Sequence, residues 1–323
     1  MNYKQLARTS IINLIYTFGS QGISLILSVI LTLLMPKQLG VTEFGYWQLF
    51  LFYSGYVGFF HFGLNDGINL KYGGMEYNKL NKEVLRSQLY VLSLSQLLIA
   101  LGIIISSLIM IDNTNRLSIM IFTSLYLIIC NIEIFFWYTL QASNRIKEYS
   151  LSVIAEKIVM LLTTILLLSI HINEFEIYIV FNILSKLVGL LLSMGFCRDL
   201  LIGKILNMKT IFSELVENLS SGAKLMFSNI ASMLIIGNGR FIIDKVWGIE
   251  SFSKVSFSFT LSTMVLLFIN AVSIMLFPTL KRIPKANLSS VYKLMSTGLM
   301  VLLTGALLFY MPLKHIIGQW LPQ

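Results

Sequence analysis

From residue 11 onward the chain alternates long apolar stretches with short polar ones. The apolar stretches run over 11–35, 46–62, 89–111, 117–140, 149–170, 177–196, 222–243, 255–277 and 291–310. A bilayer core takes about 20 apolar residues per helix. None of the stretches alternates as a barrel strand does, so each predicts a transmembrane α-helix that satisfies its own backbone. The expected fold class is all-α, a polytopic membrane protein of about nine spans. The first stretch is too long for the apolar region of a signal peptide and reads as a retained helix. Between the sixth and seventh spans, KILNMKTIFSELVENL (204–219) has apolar residues at helical spacing and predicts a helix lying along the membrane interface.

The polar connections assign a direction. With the N-terminus inside, the interior segments hold Lys4, Arg8, Lys71, Lys79, Lys82, Arg86, Arg145, Lys147, Arg198, Lys204, Lys209, Lys281, Arg282 and Lys285. The exterior loops hold Lys37, Arg116, Lys245, Lys254 and Lys314. Basic residues accumulate on the cytoplasmic side of membrane proteins, so this asymmetry places the N-terminus in the cytoplasm. Exterior loops are short, which argues against a folded exterior domain.

One pattern recurs at a shift of 208 residues: LGVTEFGYWQLF at 39–50 and WGIESFSKVSFS at 247–258. The match extends backwards into the preceding helices. Thr17, Ser20, Gln21, Ser24, Ser28 and Thr32 form one polar stripe at three- and four-residue spacing, and Ser228, Asn229, Ser232 and Arg240 fall in register beneath Ser20, Gln21, Ser24 and Thr32. Six spans separate the copies, so both enter the membrane from the same side, as parallel repeats about an axis along the membrane normal do. The expected domains are an N-terminal six-helix bundle (1–200), a linker with the interfacial helix (201–221) and a partial C-terminal bundle of three helices (222–323). On this reading the second bundle is incomplete.

Composition agrees: 56% of residues are hydrophobic, only 12% charged, and mean hydropathy is +0.79. A net charge of +9 would point to nucleic acid in a soluble chain. Here the basic residues lie between apolar segments, and the anionic inner leaflet is the expected partner. Two cysteines, Cys130 and Cys197, and three histidines, His61, His171 and His315, are too few and too scattered for a disulfide framework or a metal site. Gly203–Lys204 is followed by Ile205, so no phosphate-binding loop is present. No cofactor is expected. Any driving force comes from a coupled ion, from consumption of the substrate or from a partner.

MPKQLGVTEFGYWQLF (35–50), FGLNDGINLKYGG (62–74), FFWYTLQASNRIKEYS (135–150) and GRFIIDKVWGIESFSKVSFS (239–258) together resemble the polysaccharide-biosynthesis flippases. These transport O-antigen, lipopolysaccharide and capsule repeat units, within the multidrug, oligosaccharidyl-lipid and polysaccharide exporter superfamily. The resemblance implies two six-helix bundles in the bacterial inner membrane and alternating access. It implies that an undecaprenyl-diphosphate-linked oligosaccharide moves through a cationic central cavity, with a polysaccharide polymerase as a possible partner. It implies a transporter rather than an enzyme.

A cavity that shields a diphosphate and many hydroxyls needs cations, hydroxyls and amides, and charges inside spans are costly enough to be the first candidates. Lys186 in NILSKLVGL lies mid-span, with Glu133 and Asn131 deep in the fourth span as an alternative structural partnership. Arg240 offers a guanidinium for phosphate, or an i, i+4 pair with Asp244. Lys157 and Lys224 read as snorkelling anchors. Gln21, Ser24, Ser28, Asn229 and Ser232 line a sugar path or join helices. Asp66 and Lys71 form a cytoplasmic gate by the resemblance, or a solvated helix end.

Three other functions stay open at this point. A drug or cation antiporter of the same superfamily favours acids in its cavity, whereas the deepest charge here is a lysine. A membrane polysaccharide polymerase or glycosyltransferase needs a larger exterior loop with catalytic acids. An inactive truncated product is the third.

Overall fold

The computed structural model describes residues 22–24 and 26–282, together with Gly19 and scattered positions between 289 and 319. Among the described residues every regular element is helical and none is a strand. The helices are α1 (Gly22–Leu33), α2 (Met35–Tyr56), α3 (Leu64–Tyr72), α4 (Lys82–Met110), α5 (Thr114–Ala142), α6 (Ile146–Ser169), α7 (Phe175–Phe196) and α8 (Met208–Arg282).

Four of them, α4 to α7, are long and apolar enough to cross a membrane, and they match the expected third to sixth spans. Two bent pairs also qualify if each counts as one span: Gly22–Leu33 with Met35–His61, at 73°, and Met208–Ile235 with Gly237–Thr263, at 43°. Only 22% of the apolar window of α4 is buried, so Leu94, Leu98, Leu101, Ile105 and Leu108 face outward. That is the surface a bilayer would cover, since lipid tails are as apolar as these side chains. The expected ninth span lies outside the fully described residues.

The core has two large clusters and a small one, Val57 with Leu127 and Cys130. At one end of the bundle, Trp47, Phe50, Phe175 and Tyr178 pack with Met35, Met160 and Phe252. At the other end, Leu64, Ile68, Leu85, Phe135, Phe136 and Leu200 do so. Asn81 and Asn113 start α4 and α5 by accepting from the backbone amides of Val84 and Arg116.

The expected second span does not run through. After Tyr56 the chain tightens into a 3₁₀ turn, Val57–His61, and then takes positive φ at Phe62 (53°) and Gly63 (88°) before α3 begins. The break releases carbonyls inside the protein, and two amides answer them. Asn131 Nδ2 donates to Val57 O (2.9 Å) and Gln96 Oε1 (2.6 Å), and Gln96 Nε2 donates to Phe60 O (2.9 Å). Asn65 Nδ2 donates to Asn131 O (3.0 Å). Irregular backbone at membrane depth requires such partners.

The segment expected to lie flat on the membrane does not stand alone. It begins at Met208 and runs helically into the seventh span as the first part of α8. Part of its apolar face packs on protein, with Ile211 buried and Leu215 and Leu219 against the core of α3 and α4, while Met208, Phe212 and Val216 remain exposed. Asn218 is fully buried and donates to Gln88 Oε1 at 3.1 Å. An amphipathic pattern fixes that a face is covered, not whether lipid or helix covers it.

α3 and α8 meet backbone to backbone. A Cβ on Gly67 would run into Asn218 O, and one on Gly222 into Gly63 O. Gly63 and Gly67 are a GxxxG pair, which lets helices approach this closely.

Two glycines turn the chain in the same way. Gly40 has φ 75°, ψ 176° inside α2, and Gly248 has φ 79°, ψ −175° inside α8. Their numbers differ by the shift at which the sequence pattern recurs. Few residues other than glycine adopt this backbone. The segments after them touch: Thr42 Oγ1 donates to Glu250 Oε1 (3.4 Å), and Gly45 lies against Ile249 and Ser253.

Candidate functional site

The deepest charged side chains meet where α5, α6 and α7 pack together. Lys186 on α7 places Nζ 2.5 Å from Glu133 Oε2 on α5 and 3.2 Å from Glu156 Oε2 on α6. Lys157 Nζ reaches the other Glu156 oxygen at 2.8 Å. The Trp137 ring covers the ammonium, 4.3 Å from ring centroid to Nζ. Gly189, one turn along from Lys186, makes room for the carboxylate, because a Cβ there would collide with Glu133 Oε1. The cluster is neutral overall, two carboxylates against two ammonium groups. Both Glu133 oxygens are buried without an aligned hydrogen-bond donor, so the ion pair with Lys186 is their main compensation.

Of the two readings of Lys186, the partnership with Glu133 is formed, with Glu156 as a second partner. Lys157 is not a snorkelling anchor; it is half-buried and bound to Glu156. Asn131, expected to stand beside Glu133 in the cavity, is fully buried and spends its amide on Val57 and Gln96.

Arg240 sits elsewhere, on α8 where it faces α2. Its Nε and Nη2 both donate to Ser256 Oγ, at 3.2 and 2.9 Å. The guanidinium carbon lies 5.0 Å from the Phe52 ring centroid and 5.1 Å from that of Phe252. The alternative pairing with Asp244 is not made. Asp244 is taken by Arg116 on α5 through a bidentate bridge, Nη1 to Oδ2 at 2.7 Å and Nη2 to Oδ1 at 2.6 Å. Asp244 is buried beneath it, which favours the forked donor. Among the described residues Arg240 therefore has no carboxylate partner. A half-buried guanidinium held only by a hydroxyl and two ring faces retains donor capacity for an anion.

The polar stripes are less organised. Ser28 donates to Ser24 O (2.9 Å) and Ser232 to Ser228 O (3.3 Å), each returning its hydroxyl to its own helix. Ser24 and Ser28 are half-buried, while Asn229 and Ser232 are exposed. Gln21 lies outside the described residues.

Asp66 and Lys71 do not meet each other. Lys71 Nζ binds Glu217 Oε2 (2.7 Å) and Glu214 Oε2 (3.6 Å) on α8. Asp66 faces His61, 3.7 Å from Nε2. Burial pushes the Asp66 carboxyl above the usual range, against a hydrogen bond from Tyr138. The Lys71 ammonium is desolvated, but Glu217 and Glu214 outweigh that and hold it above its ordinary value. Lys71 thus ties α3 to the start of α8 at the end of the bundle opposite Arg116.

Sequence reasoning missed Glu156, Arg116 and Gln96. Glu156 had a visible signal, an acid within the apolar stretch 149–170, in the same span as Lys157. Arg116 had none, because its partner lies 128 residues away. No family model, curated protein or solved structure matches the chain.

Proposed function

We propose that the chain is a transporter of the bacterial inner membrane, with its Lys71 end in the cytoplasm, that moves a lipid-linked oligosaccharide diphosphate outward by alternating access between two parallel helical repeats. The repeats are represented by α1–α2 and by α8. In support, Gly40 and Gly248 share one unusual backbone, and the segments that follow them touch through Thr42 and Glu250. The two ends are joined separately, by Lys71 with Glu214 and Glu217 and by Arg116 with Asp244. A carrier that opens one side at a time requires two such closures.

The observation that carries the substrate class is Arg240. It lies between the repeats, packed on Phe52 of the first and Phe252 of the second, without a carboxylate among the described residues. Its planar fork matches phosphate oxygens. The surrounding rings lower the local dielectric, and the attraction for a diphosphate rises accordingly. The Lys186 cluster, by contrast, is neutralised internally and supports the first bundle.

The experiment is Arg240→Gln in cells whose surface polysaccharide depends on this protein. The expected result is loss of surface glycan and accumulation of the lipid-linked unit on the inner leaflet, with the protein present at wild-type level. Arg240→Lys recovers part of the glycan. Normal glycan in Arg240→Gln overturns the assignment.

A further inference from the structure

A cavity of about 640 Å³ opens at the Lys71 end of the bundle, lined by Tyr77, Asn78, Arg145, Gly195, Phe196, Arg198 and Asp199. It belongs to the α4–α7 body and lies apart from Arg240. Two guanidiniums enter it. Arg145, the residue at the start of α6, donates from Nη1 to Phe196 O (3.0 Å), pairs through Nε with Glu148 (3.1 Å) and stacks on the Tyr77 ring at 4.5 Å. Arg198 is exposed and donates from Nε to Gly195 O at 3.1 Å. Each arginine therefore donates one nitrogen to one of the last carbonyls of α7, Nη1 of Arg145 to Phe196 O and Nε of Arg198 to Gly195 O, acceptors that helix ends leave open. That leaves Nη2 of Arg145 and both Nη nitrogens of Arg198, two residues that line the cavity, for a further acceptor.

The acids nearby are already matched. Asp199 accepts from Tyr77 Oη (2.6 Å) and is bound by Lys82, while Glu148 is bound by Arg145. With Arg86, which donates from Nη2 to Asp199 O (2.6 Å), the cations Arg145, Arg198, Lys82 and Arg86 outnumber Asp199 and Glu148, so the rim is net positive. The N-terminus of α6, which has no side-chain cap, starts at the same rim and adds donor potential of the same sign. The Tyr77 ring supplies an apolar wall.

We propose that this cavity is a phosphate-ester site, taking a phosphodiester headgroup of an anionic inner-leaflet lipid. The excess positive charge suits an anionic phosphodiester, and the remaining nitrogens of the two guanidiniums suit its two free oxygens. The lipid as source rests on the orientation proposed above, which puts this rim at the cytoplasmic leaflet. The anion chemistry does not, because the test reads binding to the purified chain and involves no transport.

The test compares thermal unfolding of the purified full chain in neutral detergent with short-chain phosphatidylglycerol, with phosphatidylcholine of equal chain length and with inorganic phosphate. A ligand bound to the folded state raises the midpoint with its concentration. Phosphatidylglycerol is expected to raise it by several degrees more than phosphatidylcholine. Arg198→Gln, at an exposed position, is expected to unfold like the wild type in phosphatidylcholine and to lose more than half of the phosphatidylglycerol increment. Lys209→Gln, which removes an exposed charge elsewhere, is expected to keep it. If inorganic phosphate alone gives the whole increment, the anion site stands and its ligand is a soluble phosphate ester. Equal increments from the two lipids without any from phosphate overturn the site, as does equal loss in Lys209→Gln and Arg198→Gln.

Discussion

Thr42 and Glu250 hydrogen-bond across 208 residues, the same interval that separates the two copies of the sequence pattern. Each residue thus touches its own counterpart, a geometry that two-fold relationships generate near their axis. Gly45 and Ser253, separated by the same interval, are also in contact. The pair Thr42→Cys and Glu250→Cys, whose side chains meet at 3.4 Å, is therefore expected to form a disulfide on mild oxidation. A protease site placed in 201–207 makes the bond visible as two fragments held together until reduction. Fragments that separate without reductant show that the contact is not formed.

Lys186→Met leaves Glu133 and Glu156 facing each other in the interior. Breaking a buried pair from one side costs about 3–5 kcal/mol, and the variant is expected to show a much lower denaturation midpoint in detergent. Adding Glu133→Gln removes one stranded charge. The double variant is expected to lose less than the two single losses combined, the signature of coupled sites. Strictly additive losses would contradict the cluster.

At the α3–α8 crossing, Gly222→Ala forces a methyl group against Gly63 O. Overpacking of this kind costs about 1–3 kcal/mol. The expected outcome is a lowered midpoint together with faster proteolysis in 201–207. Gly102→Ala, which has open space around it, is expected to change neither.

Asp199 carries a pH dependence of known sign. Burial raises its carboxyl, but hydrogen bonds from Lys82 and Tyr77 outweigh burial and hold it below its ordinary value. A depressed carboxyl contributes stability above about pH 3.8 that is lost as pH falls through the folded-state value. Midpoints for wild type and Asp199→Asn are expected to differ at pH 6, and the difference to shrink as pH falls below about 3.8. A gap that widens on acidification would show the opposite sign.

Burial pushes the Cys197 thiol up to about 11, against the pull of Tyr77 and Arg145. The thiolate is the reactive form. N-ethylmaleimide at pH 7.5 is expected to leave Cys197 unmodified in the folded protein and to label it after denaturation. Rapid labelling of the native chain would show that the thiol is open to solvent.

α4 to α7 were legible in the sequence because each is one uninterrupted apolar run, and nothing else hides a backbone at that depth. The break between Val57 and Gly63 was not. VGFFH (57–61) is nearly as apolar as the helix before it, and the amides that make the break tolerable, Gln96 and Asn131, lie in other helices. The 204–219 helix was legible as a helix, but which of its apolar residues protein would cover was not, since Ile211, Leu215 and Leu219 look no different in sequence from the exposed Phe212 and Val216. Lys186 and Glu133 stood out as buried charges and do meet. Arg240 and Asp244 had ideal spacing for a pair, yet Arg116 offers the two-pronged fit that Asp244 takes.

The crossing at Gly63, Gly67 and Gly222 brings main chains together with no side chain between them. Such a contact resists sliding and separation but leaves rotation open, so it acts as a fulcrum. From Gly222 to Asp244 the helix spans about 30 Å at 1.5 Å per residue. Each degree of tilt about the glycines therefore carries the far end by about half an ångström. A few degrees is enough to pull the Asp244 carboxylate off Arg116, so the packing of three glycines at one end of the bundle is mechanically linked to an ion pair at the other.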